Sequence, residues 1–310
     1  MRAKPPLRVW IWPLPAVARR LWRVIALASV YSLSVYLFAG AVIAQLPGWS
    51  SEFGLVNGIV LGVLVGIRTR AAFDRWFEGQ KLWGEVLIHA RSLTLKVAYL
   101  VRTDAADRRL FVALVGGFAQ ALVARLRGID AQIEAPLGVE PLPPDARHVP
   151  AHLAGRLYAL AARWHREGRV DLPGLWALEA NTRALLDAAG HCERVAQTPI
   201  PASFHALLRH GLLVSLILAP WHLIHALGLW ALPVQALIIY FLFGVELTAE
   251  EIENPFGTDV DDLPLTDYCD RVRRDVADLL TTAEPKPTGP PATADAISGT
   301  IPTVTDDRTE

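Results

Sequence analysis

The chain has 310 residues, enough for one or two domains, with 52% hydrophobic residues, a mean hydropathy of +0.30 and a net charge of −1. That balance excludes a general nucleic-acid binder, which carries a basic excess, and is more apolar than soluble domains usually are. Two cysteines, Cys192 and Cys269, are too few for a disulfide framework and read as reduced thiols.

In chain order, residues 1–23 form a basic segment with Arg2, Lys4, Arg8, Arg19, Arg20 and Arg23 and no acid. Residues 24–45, "VIALASVYSLSVYLFAGAVIAQ", are uncharged and reach the roughly 20 residues that a spanning helix needs. A cleaved signal peptide is the rival reading, with "VIA" before Gln45 as its site, but the run exceeds the usual h-region of about 7–15 residues. The next apolar stretch, 53–67, carries Gly54, Gly58, Gly62 and Gly66 and stops at Arg68 and Arg70. From there "AAFDRWFEGQKLWGEVLIHARSLTLKVAYLV", 71–101, keeps helical spacing with no breaker, so one long helix leaves the membrane.

Residues 106–128 predict a second helix, apolar but bracketed by Arg108, Arg109, Arg125 and Arg127, and therefore a buried core helix. A Pro-rich loop covers 134–150, and helices follow at 151–167 and 173–190. The run 211–245 is too long for one span of about 30 Å at 1.5 Å per residue, so it reads as a hairpin turning near 228–233, its first helix starting near Phe204. Residues 266–280 predict a helix with Thr266 as N-cap and Asp267 in the first turn. The tail 284–310 lacks aromatics, is rich in Pro and Thr, and reads as disordered.

The expected architecture is all-α, with four spans in two pairs at 24–67 and 204–250. A cytoplasmic helical region lies between them at 68–203, and an acidic turn with a C-terminal helix follows at 251–283. The link 46–52 and the turn near 230 hold no Lys or Arg, so the positive-inside rule puts both outside and both termini in the cytoplasm.

Four glycines at intervals of four form one helix stripe, each costing about 1 kcal/mol relative to Ala, and such stripes let membrane helices approach closely. Ile59, Val63 and Ile67 form the adjacent stripe. In an ordinary four-helix bundle that stripe is core; in a ring of identical helices it points at the axis and makes an apolar constriction. Spacing alone favours the bundle. Asp259, Asp261 and Asp262 suggest a magnesium–diphosphate or isoprenoid enzyme, but the other adjacent pair, Asp306–Asp307, lies in the tail. His222 and His225, spaced i, i+3 on a membrane helix, read as interhelical hydrogen-bonders rather than metal ligands. Asp74, Arg75 and Glu78 read as pairing at the cytoplasmic mouth.

"RTRAAFDRWFEGQKLWGEV" at 68–86, "GHCERVAQTPIP" at 190–201 and "EIENPFGTDVDDLPL" at 251–265 resemble the bestrophin family in its bacterial branch. The resemblance spans roughly residues 20–283. It implies a homopentameric ion channel around one central pore, in the bacterial inner membrane, with no enzyme chemistry. The family's three apolar neck positions fall on Ile59, Val63 and Ile67, and a second, cytoplasmic constriction falls near Leu175 or Leu178. Animal members clasp Ca²⁺ after the last span, and Asp259 and Asp262 match two of those carboxylate positions. Val260 and Thr258 stand where further acids would be, so a turn-ordering role is preferred and no cofactor is expected to be required. Anion or cation selectivity stays open by this resemblance. The partners implied are further copies of the chain, the lipid bilayer and small permeant ions. The competing class is a membrane scaffold or sensor whose cytoplasmic bundle binds a partner.

Overall fold

The computed structural model describes residues 13–38, 49–129 and 147–282. The described residues form eight α-helices joined by turns: α1 (Pro13–Phe38), α2 (Trp49–Leu100), α3 (Ala105–Leu126), α4 (Val149–Arg166), α5 (Leu172–Gln197), α6 (Ala202–Leu227), α7 (Ala231–Ile252) and α8 (Leu265–Thr282). The basic N-terminus up to residue 12, the end of the first span at 39–45, most of the Pro-rich loop and the 284–310 tail lie outside the described residues.

Local chemistry sets the helix starts. Asp104 and Asp171 accept the backbone N–H groups of Asp107 and Gly174, and His148 Nδ1 accepts that of Ala151. Proline sits in the first turn of α4 and α5, where no intrahelical N–H is lost. The hairpin turns through one 3-10 turn at Gly228–Trp230, with Gly228 at φ 56°, a conformation that glycine adopts without penalty.

Three boundaries differ from the sequence reading. The first helix starts at Pro13 rather than 24, since nothing between them breaks it, and Arg19, Arg20 and Arg23 therefore ride on α1. α5 runs past Gly190 to Gln197. Thr266 lies inside the first turn of α8, which starts at Leu265, so it is not the N-cap. The expected long helix forms unbroken: α2 has 52 residues, roughly 78 Å at 1.5 Å per residue.

By length and composition, four stretches suit a membrane: Arg19–Phe38, Gly54–Leu100, Ala105–Leu126 and Ala202–Ile252. Ala105–Leu126 is set apart because 61% of its most apolar window is buried, against 17–22% in the other three. It is a core helix. The last stretch contains the α6–α7 hairpin and counts as two spans, so α1, the first half of α2, α6 and α7 form the membrane bundle. The chain is a multi-pass membrane protein.

The second half of α2 packs against α5 and α8, and α3 and α4 complete this distal bundle by packing on those two and on each other. Its core is continuous, with Trp83, Leu93 and Val97 of α2 meeting Phe111, Phe118 and Leu122 of α3, Trp164 of α4 and Val276 of α8. Each such side chain contributes about 1.5–3 kcal/mol on burial. One charge is enclosed there: the Asp107 carboxylate takes hydrogen bonds from Arg163, Arg169 and Trp164 Nε1.

The bundles are tied by the "NPFG" segment after α7. Phe256 is fully buried in the distal core, and Pro255 and Phe256 lie against Gly79 of α2. A Cβ on Gly79 would come within 2.9 Å of Pro255 Cγ. Gly79→Leu should therefore destabilise the protein by about 1–3 kcal/mol through overpacking. Gly155→Ala, on an open helix face, should raise stability by about 0.4–1 kcal/mol. Thermal unfolding in detergent compares the two.

Candidate functional site

α2 presents two very different faces. Leu61, Val65, Arg68 and Ala72, at helical spacing, are buried against α6 and α7. Leu208 and Leu212 of α6 meet the first two, while Ala249 and Ile252 of α7 meet Ala72. Asn57 Nδ2 donates to Ser215 Oγ at 3.0 Å on the same side. Ile59, Val63 and Ile67 lie on the other side and are 59%, 56% and 53% exposed. The stripe is not core of the subunit, which overturns the ordinary-bundle reading.

The glycines divide. A Cβ on Gly54 would come within 2.9 Å of the His222 ring, so this glycine admits α6. Gly58, Gly62 and Gly66 have nothing within 4 Å of that position and are exposed. Three of the four therefore do not pack helices together within the subunit; they keep a smooth outer face beside the Ile/Val stripe. His222 is accounted for by packing over Gly54, and His225 is exposed. Below the stripe the exposed face continues through Phe73, Phe77, Ile88, Leu95 and Tyr99.

One residue after Ile67, Arg68 points the other way and is completely buried. Its Nη2 donates to Glu253 Oε2 at 2.7 Å, and its Nε lies 3.9 Å from Glu246 Oε1. Glu253 also accepts the Ile200 N–H at 3.1 Å and stands 3.4 Å from His205 Nε2. One turn pair further on, Arg75 donates to the carbonyls of Glu253, Val195 and Thr198. Burial lowers the Arg75 pKa, with the Glu253 charge opposing. Two arginines of α2 thus staple the end of α7 and the α5–α6 link. The expected pairing of Asp74, Arg75 and Glu78 does not form. Arg75 is drawn to carbonyls, and Asp74 lies outside, 3.8 Å from Arg70. Arg68 was read as the polar end of an apolar run. The missed signal is its place in the Leu61, Val65, Arg68, Ala72 series, where a buried cation requires a buried acid.

The acidic turn also binds back to α2. Trp76 Nε1 donates to the Asp261 carbonyl at 3.0 Å, and Leu263 N–H to that of Pro255. Asp262 Oδ2 accepts the Asp259 N–H at 2.6 Å, and burial raises the Asp262 pKa. Ca²⁺ wants six to eight oxygens. In this turn one Asp262 oxygen accepts the Asp259 N–H, the other is buried without a partner, and the Asp259 side chain is exposed.

Leu178 is buried in the distal core and cannot line an opening. Leu175 is half-buried against that core. The apolar residues that α5 exposes there are Leu172 and Trp176.

A family model described as "Bacterial/Fungal Bestrophin protein" matches residues 3–278. The chain belongs to the bestrophin family. Among bestrophin relatives, a voltage-dependent anion channel-forming protein of Mesorhizobium japonicum is 32% identical over 280 residues, covering 84% of this chain and 86% of the relative. The similarly named YneE of Escherichia coli K12 is 30% identical over 264 residues, covering 80% and 85%. Crystal structures of a bacterial bestrophin homologue from Klebsiella pneumoniae share the fold, one with a TM-score of 0.71 at 22% identity, over 83% of this chain and 96% of that one. Bestrophin membership removes the isoprenoid-enzyme reading of the Asp259–Asp262 turn.

Glu253→Ala would leave Arg68 buried without its closest acid. The expected cost is about 3–5 kcal/mol, the range for one lost partner of a buried pair. Thermal unfolding in detergent reads it, and Asp74→Ala should change little because its partner is exposed.

Proposed function

We propose that the chain assembles as a homopentamer and forms a passive ion channel around one central pore, with Ile59, Val63 and Ile67 lining its neck. The observation that carries this reading is the outer face of α2. An apolar stripe, a run of bare glycines beside it and no neighbour for either inside the subunit suit a helix that meets copies of itself. Stacked rings of Ile and Val make a narrow passage that dewets readily. The family supports a channel, and the relatives' names favour anions; the stripe itself holds no charge to select by.

In this proposal both termini face the cytoplasm of a bacterium, the distal bundle hangs below its inner membrane, and the basic start of α1 fits that orientation. The Arg68–Glu253 staple holds the bottom of the neck against α7. Leu172 and Trp176 take the place expected of Leu175 and Leu178 at a cytoplasmic opening.

Ion flux in proteoliposomes under opposed salt gradients tests the function, and the sign of the reversal potential gives the selectivity. The triple variant Ile59→Ala, Val63→Ala, Ile67→Ala should conduct more while keeping its assembly. Gly58→Leu or Gly62→Leu should disrupt assembly. Unchanged conductance in an intact triple variant would remove the neck from this stripe, and no flux at all would favour the scaffold or sensor class.

Calcium is not required in this reading, because Val260 and Thr258 stand where further carboxylates would be and fewer charged ligands weaken a site. Open probability should stay flat from nanomolar to millimolar Ca²⁺ on the cytoplasmic side. Asp262→Ala, which removes the acceptor of the Asp259 N–H, should lower stability modestly without abolishing flux, and Asp259→Asn, which keeps that backbone donor, should change little.

A further inference from the structure

The Ile59, Val63, Ile67 stripe is uncharged, but the same face of α2 acquires charge directly beneath it. At about 100° per residue, Arg70 lies within about 20° of Ile59 and Val63 around the helix, and Asp74 within about 20° of Ile67. Along the axis Arg70 is roughly 4.5 Å beyond Ile67 and Asp74 roughly 10.5 Å. Their side chains are 84% and 70% exposed, between the exposed apolar residues Ile67, Phe73 and Phe77. They are the first charges on this face after the stripe.

The two do not neutralise each other. Arg70 Nε stands 3.8 Å from Asp74 Oδ2, beyond hydrogen-bonding range, and the cation precedes the acid, the weaker order for an i, i+4 pair. The other charges at this level are turned away from the face. Arg68 is buried and bound to Glu253, with Glu246 buried beside it. Arg75 is held by carbonyls, and Arg209 pairs with Glu250 between α6 and α7. Glu78 is half-buried and roughly 16.5 Å beyond Ile67.

We infer that Arg70 sets which sign of ion passes the neck. Around a central axis its guanidiniums form a ring at the inner end of the constriction, and the Asp74 carboxylates form a second ring further from it. Rings of Arg or Lys favour anions in a pore, and rings of Asp or Glu favour cations. The Debye length is about 8 Å at physiological ionic strength, so the nearer ring acts on the constriction strongly and the farther one is attenuated. Anions are preferred, and Asp74 moderates the preference. This inference rests on the pentameric channel reading and names the residues that would give it selectivity.

The test measures the reversal potential of the full chain in proteoliposomes under a potassium chloride gradient. Arg70→Gln should lower the chloride-to-potassium permeability ratio several-fold, and Arg70→Glu should lower it further. Asp74→Asn should raise the ratio, and Arg70→Lys should leave it near that of the wild type. These shifts should shrink as salt rises, because screening shortens the reach of the rings. A merely structural disturbance does not move two neighbours in opposite directions. Wild-type flux with a ratio that Arg70→Gln leaves unmoved, or that Arg70→Gln and Asp74→Asn move the same way, would overturn the inference and leave the channel standing. So would a wild type that prefers potassium. Should Arg70→Gln fail to assemble, Asp74→Asn decides, and no rise in its ratio would overturn the inference. No flux in the wild type would remove the channel reading and this inference with it.

Discussion

A guanidinium enclosed among helices is the constraint on which the rest of the structure depends. Arg68 sits at complete burial, and a buried cation is tolerated only beside an acid. Glu253 supplies it, which fixes where α7 must end, and its other oxygen fixes the α5–α6 link through Ile200. Arg75 then ties the carbonyls of both segments to the same side of α2. Once that side of α2 is committed inward, the Ile59, Val63, Ile67 stripe has to face outward. The orientation of the stripe is therefore a consequence of charge placement as much as of hydrophobicity.

Much of this was legible from patterning. Unbroken helical spacing from the glycine stretch to Val101 gives the long helix, and arginines bracketing 106–128 distinguish a core helix from a span. The structure agrees on both, with α3 buried in the distal core. Boundaries were less legible because glycine inside a helix weakens it without ending it: α5 passes Gly190, as α2 passes Gly79 and Gly84. Thr266 has the chemistry of a cap, but the chain already turns helical at Leu265.

The site was legible only in part. Periodicity separates the Ile/Val stripe from the glycines, but it cannot say which stripe turns inward, since that choice is made by long-range partners. Arg68 and Glu253 are 185 positions apart. No local window contains both. The same limit misplaced Arg75, whose acceptors are main-chain carbonyls and have no sequence signature, and Leu178, where one position of helix phase decides between core and surface. The acidic turn shows the opposite case. Its carboxylates invite a metal by composition, while the fold uses one Asp262 oxygen to close the turn on Asp259.

The uninterrupted course of α2 has a mechanical consequence. It contains no proline along its 52 residues and passes through both bundles as a single body. Sharp kinks in helices arise at prolines, at Gly/Ser pairs, at π-bulges or where a side chain breaks the ladder. Lacking a proline joint, such a shaft transmits torque better than it bends. The two arginine staples bind this shaft to the end of α7 and to the α5–α6 link, so α2 cannot turn about its long axis without a buried charge losing its partner.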